Sequence, residues 1–268
     1  MKNLSRVANI VASVPWAIEP RALDFIASVV DSHLAGEMPP VIEPKRDETA
    51  PVAGIGVVSI HGPIIPRASL MSNLSGATSS EQVSAEVSAM VANDSVKLIV
   101  LDIDSPGGSV LGGFEAADVI HAAAQVKPVV ASVSGICASL AYLFASQAGK
   151  IVATRGSHVG SIGVIARHYE DRAATHNAGY EEITVASSRA KAMSGMTKEE
   201  ITARMRAEVD EYFAMFKEAI ARGRKLDMDA VATGEMWKAD KAMSLGLVDD
   251  IGTLDQVISE LAEKYLLT

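Results

Sequence analysis

The sequence predicts an α/β fold with a mostly parallel sheet, and three observations carry that expectation. From residue 54 onward, strand-length apolar runs alternate with helical patterns, the signature of linked strand–helix–strand units. Residues 96–104 read as a strand buried on both faces, as parallel sheets require. Aromatic residues make up only 4% of a chain that is 49% hydrophobic, so the core packs small and β-branched side chains.

The elements follow in order along the 268 residues, a length that allows one large domain or two small ones. Residues 1–36 read as a helical arm: a turn at Pro15-Trp16 and Pro20 precedes apolar Ala22, Ile26, Val29 and Val30. Residues 37–53 hold Pro39, Pro40, Pro44 and Pro51 among charges, which is linker composition, and set the arm apart from the core. Ile55, Val57, Val58 and Ile60 then form a β-branched strand. Val83, Val87, Met90 and Val91 mark a helix over 79–94. After the strand at 96–104 come a helix at 114–124, a strand at 129–133 and a helix at 139–148. Short strands are expected at 151–153, 162–165 and 183–185.

The last third reads as helical. Thr197 and Glu200 have capping-box spacing, and Ile201, Met205, Val209, Tyr212, Phe213, Phe216 and Ile220 form one apolar stripe ending before Gly223. Two short helices and a final one at 254–267 complete the chain. There is no internal repeat.

Composition excludes several function classes. A net charge of −9 argues against a general nucleic-acid surface. The apolar runs at 98–103 and 129–133 fall far short of the ~20 residues of a spanning helix, and the N-terminus lacks an unbroken signal-peptide core. The single cysteine, Cys137, forms no intrachain disulfide and suits a reducing compartment, so the expectation is a cytoplasmic protein without a membrane anchor. The six histidines are scattered and no Cys/His cluster exists, so neither a metal nor a cofactor is expected.

Three glycine-containing turns stand where strands end. Asp104-Ser105-Pro106-Gly107-Gly108 can aim backbone N–H groups at a ligand, or simply turn the chain; it lacks the spacing and lysine of a phosphate loop. Ser134-Gly135-Ile136-Cys137-Ala138-Ser139 places Ser139 at a helix N-terminus, where a serine either caps the helix or meets a developing anion. Gly160-Ser161-Ile162-Gly163-Val164 is the third.

Together these three segments resemble the signature of the signal peptide peptidase A (S49) serine proteases, in order and in spacing. Ala242-Met243-Ser244-Leu245-Gly246-Leu247-Val248-Asp249 is similar to that family's closing motif. The resemblance covers residues 54–258. Pro15-Trp16-Ala17-Ile18-Glu19-Pro20 looks more like the phage branch, the lambdoid minor capsid protein C proteases.

The resemblance implies a ClpP/crotonase-like fold with repeated ββα units and a helical C-terminal part, residues 54–268 forming the protease domain. It implies a serine–lysine dyad: Ser139 as nucleophile, Lys191 as base 52 residues later, and Ser161 orienting the lysine amine. It implies an oxyanion hole from the backbone N–H groups of Gly107 or Gly108 and of Leu140. Leu140-Ala141 departs from the two glycines usual in the cellular enzymes, which bears on specificity. A lysine acts as base when desolvation brings its pKa from ~10.4 towards neutrality. Ala190, Ala192 and Met193 around Lys191 make its burial an expectation. The implied substrates are scaffold, capsid or portal proteins in a phage procapsid, and the chain itself. The implied assembly is a homo-oligomeric ring with sites shared between neighbours.

Competing readings are a soluble host peptidase of the same family, and a ClpP-like Ser-His-Asp triad using His158 or His168. Others are a crotonase-like acyl-CoA enzyme without a nucleophile, and a non-enzymatic capsid component resting on the long helix and the linker. Cys137 is expected to be a buried thiol.

Overall fold

Strand β5 (Leu98–Ser105) is the axis of the computed structural model, because Leu98, Ile99, Val100, Leu101 and Ile103 are all shut off from solvent. The structure describes residues 15–24, 26, 28, 54–67, 76–168, 176, 177, 179, 183–188, 191 and 195–265. Strand β5 lies parallel to β2 (Ile55–His61) on one side and to β7 (Val129–Ala138) on the other. The first half of β7 pairs with β8 (Lys150–Ala153) and its second half with β9 (His158–Gly160), both parallel. Strand β10 (Met236–Lys238) closes one edge antiparallel to β9, and β11 (Asp250–Ile251) adds to β8, giving seven strands.

A second sheet of four strands has the order β1-β6-β3-β4: Trp16–Ile18, Gly107–Ser109, Ile64–Ile65 and Thr78–Ser79. Two ββα units are visible. Strands β2 and β3 lead, through β4, to helix α1 (Ser80–Ala92), and β5 and β6 lead to α2 (Gly113–Ala124). Ser79 caps α1 by accepting from the Gln82 N–H. After β7 comes the short, fully buried α3 (Leu140–Ser146).

One face of the large sheet carries the main core with α1, α2 and α3. On the other face Ile55, Leu98 and Val100 pack against Leu254, Ile258 and Leu261 of the last helix, α7 (Leu254–Tyr265). The C-terminal part is helical as expected: α4 (Lys198–Gly223), α5 (Met228–Val231), α6 (Ala239–Ser244) and α7. The capping box of α4 forms, Thr197 and Glu200 satisfying each other's backbone N–H groups.

Helix α4 fixes α3. The Gln147 amide donates to the Ala219 carbonyl at 2.9 Å. A Cβ on Gly223 would stand 1.9 Å from the Ser146 carbonyl oxygen, so this glycine permits close approach rather than an unusual turn. Tyr142 is fully buried, donates to the Leu247 carbonyl at 3.2 Å, and has its pKa pushed up by that burial. Arg224 grips Asp249 with two hydrogen bonds of 2.7 and 2.8 Å and also donates to the Gly246 carbonyl. Burial works against its charge, yet these bonds keep its pKa raised. Arg224→Met is expected to destabilise the fold by about 2 kcal/mol, read as a lowered Tm, because the Gly246 carbonyl and both Asp249 carboxylate oxygens lose their charged donor.

Four local expectations fail. Trp16–Ile18 is a buried strand rather than a turn, so the start of the arm is part of the second sheet. Residues 20–24 are helical as expected, while 37–53 lie outside the described residues. The segment Ser134–Ala138 is not a turn but the irregular end of β7, whose register against β5 shifts between Ile103 and Ser105. Residues 162–165 form only the single bridge of Ile165 to Trp16, and 183–185 form no strand: Ile183 and Val185 are exposed. A bare apolar triplet reads as a strand only where a neighbour offers an edge.

Candidate active site

The parallel pairing sets the site. Ser105 is in register with Cys137, and Ala138 with Gly160, so all three motifs reach the same carboxyl edge of the sheet. In open α/β sheets this edge is where ligands bind. Ser139 stands at the turn from β7 into α3, wholly buried, with φ 54° and ψ −116°. Among the described residues, Ser139 and Ser161 (φ 51°) are the non-glycine residues with positive φ. Such backbone costs an L-residue on the order of 1–3 kcal/mol and persists where the surroundings impose it, typically at functional sites.

The Ser139 hydroxyl does not cap the helix. It donates instead to the Gly163 carbonyl at 3.1 Å, while its backbone N–H donates to the Gly160 carbonyl at 2.8 Å. Ser161 is buried and its N–H donates to the Glu235 carbonyl at 2.6 Å. Pro106 and Gly107 (φ +92°) link β5 to β6, and the Ser105 hydroxyl braces this link by accepting from the Gly107 N–H at 3.2 Å and donating to the Gly62 carbonyl. A Cβ on Gly107 would stand 3.0 Å from the Leu140 nitrogen and 2.8 Å from the Ala138 carbonyl oxygen. Gly107, Gly108, Ser139, Leu140 and Ser161 therefore come together. Gly107→Ala is expected to destabilise the fold by about 2 kcal/mol, because at φ +92° the added Cβ strains the backbone and meets the Ala17 and Ala138 carbonyl oxygens. A lowered Tm checks this.

Lys191 is placed differently. It is exposed, its N–H donates to the Ser188 carbonyl at 3.0 Å, and among the described residues no hydrogen bond joins it to Ser139 or Ser161. The burial expected of it is absent within one chain. His158 and His168 are also exposed, and among the described residues neither hydrogen-bonds to Ser139. Cys137 is fully buried, and burial pushes its thiol pKa up, the setting of an unreactive structural thiol.

Beside Ser161 and Gly163 a cavity of about 380 Å³ opens between the 161–165 segment and α4, with Phe213 and Val209 on its far wall. It continues into one of about 610 Å³ lined by Val164, Met205 and Lys198 among others. The stripe on α4 thus partly faces a groove rather than the core. Among the described residues no cluster fit to hold a metal is present, and no helix is long and apolar enough to cross a membrane. Sequence reading missed Gly163 as the acceptor for Ser139, and missed β1, whose three consecutive apolar residues between two prolines offer only a weak signal.

A strained serine at a strand-to-helix junction, beside a Pro-Gly-Gly turn and a groove, is an arrangement of the kind serine hydrolases use. The model of peptidase family S49 matches residues 121–268, and the chain belongs to that family. It is 32% identical over 217 residues to the head-tail preconnector protein GP5 of Enterobacteria phage P21, covering 79% of this chain and 43% of that protein. It is 25% identical over 280 residues to the capsid assembly protease C of Escherichia phage lambda, covering 94% and 64%. With protease 4 of Salmonella typhi the identity is 29% over 219 residues, covering 78% and 34%. The chain thus spans about half the length of the curated relatives it matches. Among solved structures, an enoyl-CoA hydratase/isomerase family member aligns with a TM-score of 0.44 and 17% identity, over 80% of this chain and 72% of that one.

Proposed function

We propose that the chain is a serine endopeptidase with a Ser139–Lys191 dyad that cleaves scaffold, capsid or portal proteins during phage procapsid maturation in the host cytoplasm. The observation that carries the proposal is the strained, buried Ser139 beside the Gly107-Gly108 turn and the Leu140 N–H. The named activities of the phage relatives support the choice of substrates.

In this mechanism Ser139 Oγ attacks the scissile carbonyl carbon while the Lys191 amine takes the hydroxyl proton. The N–H groups of Gly107 or Gly108 and of Leu140 hold the oxyanion. Lys191, now protonated and oriented by Ser161, gives the proton to the leaving amine. It then draws a proton from the water that attacks the acyl carbonyl and returns it to Ser139 Oγ as the ester bond breaks. A lysine exposed on one chain fits this role when a neighbouring subunit covers it, so the proposal includes a homo-oligomeric ring in which Lys191 serves the next subunit's Ser139.

The experiment is digestion of an unfolded protein such as reduced casein by the purified chain, with and without a serine-reactive fluorophosphonate. Cleavage that the reagent abolishes is expected. Cleavage that a metal chelator stops and the reagent does not would contradict the proposal.

A further inference from the structure

Strand β1 lies directly against the Pro-Gly-Gly strand beside Ser139. Its residues Trp16, Ala17 and Ile18 are in antiparallel register with Ser109, Gly108 and Gly107 of β6. The Glu19 N–H donates to the Pro106 carbonyl at 2.8 Å, and the Val110 N–H to the Pro15 carbonyl at 3.5 Å. Antiparallel alternation between those two bonds makes Ala17 and Gly108 the pair that exchanges both hydrogen bonds, so the Gly108 N–H points at the Ala17 carbonyl. On its other edge Trp16 exchanges two 2.8 Å bonds with Ile165, just beyond Ser161 and Gly163. The segment is therefore clamped between the Pro-Gly-Gly strand and the strip that accepts the Ser139 hydroxyl.

The Ala17 carbonyl also lies on the side of the Leu140 N–H. The point where a Gly107 Cβ would sit is 2.4 Å from the Ala17 oxygen and 3.0 Å from the Leu140 nitrogen. All three strand residues are buried, at 8%, 2% and 2% exposure, and Ile18 and Pro20 wall the cavity beside Ser161. Two-sided backbone pairing with buried side chains is how a peptide is held by strand addition.

We infer that residues 15–19 are a built-in pseudo-substrate that keeps the site latent: the Ala17 carbonyl occupies the Gly108 donor, and β1 fills the edge that a protein substrate needs. This rests on the proposed oxyanion role of Gly108 and Leu140. Release is local. Trp16, Ile18 and Leu23 form a small cluster of their own with Ile165, and of the three strand residues only Ala17 belongs to the main core. Substrate must compete with the strand, so its apparent affinity and rate are reduced by the fraction of chains in which the strand is displaced.

The test compares the full chain, the chain lacking residues 1–19, and full chains carrying Ala17→Pro or Trp16→Ala. Proline at 17 removes the N–H that pairs with Gly108, and Trp16→Ala empties the small cluster. Fluorophosphonate labelling and casein cleavage are expected to rise roughly tenfold or more in the altered chains. Adding the peptide Ser-Val-Pro-Trp-Ala-Ile-Glu-Pro, residues 13–20, should return them to the full-chain rate, and the same peptide carrying Ala17→Pro should not. Thermal melts show which variants fold; where truncation abolishes the transition, the single substitutions decide. Equal or slower labelling in the folded variants, lost on Ser139→Ala, overturns the latency and leaves the proposed dyad standing. No labelling of Ser139 in any form overturns both.

Discussion

Ser139→Ala is expected to lower peptide-bond cleavage by about 10⁴-fold or more while leaving Tm within a few degrees of the parent. The hydroxyl makes one hydrogen bond of 3.1 Å, to the Gly163 carbonyl, and bonds of that kind contribute about 1 kcal/mol. A structural serine would show its loss in stability; a nucleophile shows it in rate. Ser139→Gly sharpens the contrast. At φ 54° the side chain strains the backbone, so glycine should be more stable than alanine there by about 1 kcal/mol and equally inactive. A parallel pair of melting curves and progress curves separates the two effects.

Lys191→Ala carries the second large effect: a loss of at least about 10³-fold in rate with little change in the Tm of the unassembled chain, where the side chain is exposed. Lys191→Arg should fail as well, since a guanidinium stays protonated at working pH and cannot accept the serine proton. Mixing the Ser139→Ala and Lys191→Ala proteins tests where the amine acts. Sites shared between subunits regain activity in the mixture, because some neighbours pair an intact serine with an intact lysine. Sites complete within one chain do not.

Sequence reading served well where a run was long and its environment uniform. Strand β5 could be read because burial on both faces leaves no polar position from Leu98 to Leu101, and α4 because a capping box opens it and an apolar stripe runs along it. The three-residue strands β1 and β9 carry too little pattern to be told from turns, and their pairing depends on partners distant in sequence: Trp16 with Ser109, and His158 with Ile136. Residues 162–165 mislead for the opposite reason. Their apolar side chains serve the groove and the Trp16 contact rather than a continuous ladder.

At the site, the glycines and serines were legible from their place after buried strands. The positive φ of Ser139 and Ser161 was not, because serine has no sequence preference for that backbone and only the converging turns impose it. Lys191 enters through family resemblance alone, and its exposure on one chain leaves its proposed role to the arrangement of neighbouring subunits.

The most direct measurement is mass-spectrometric mapping of the fluorophosphonate adduct on the active protein. A single adduct on Ser139, absent when Lys191 is replaced by alanine, is the predicted result. An adduct on another serine, or full activity in a protein with Ser139 quantitatively modified, would contradict the account.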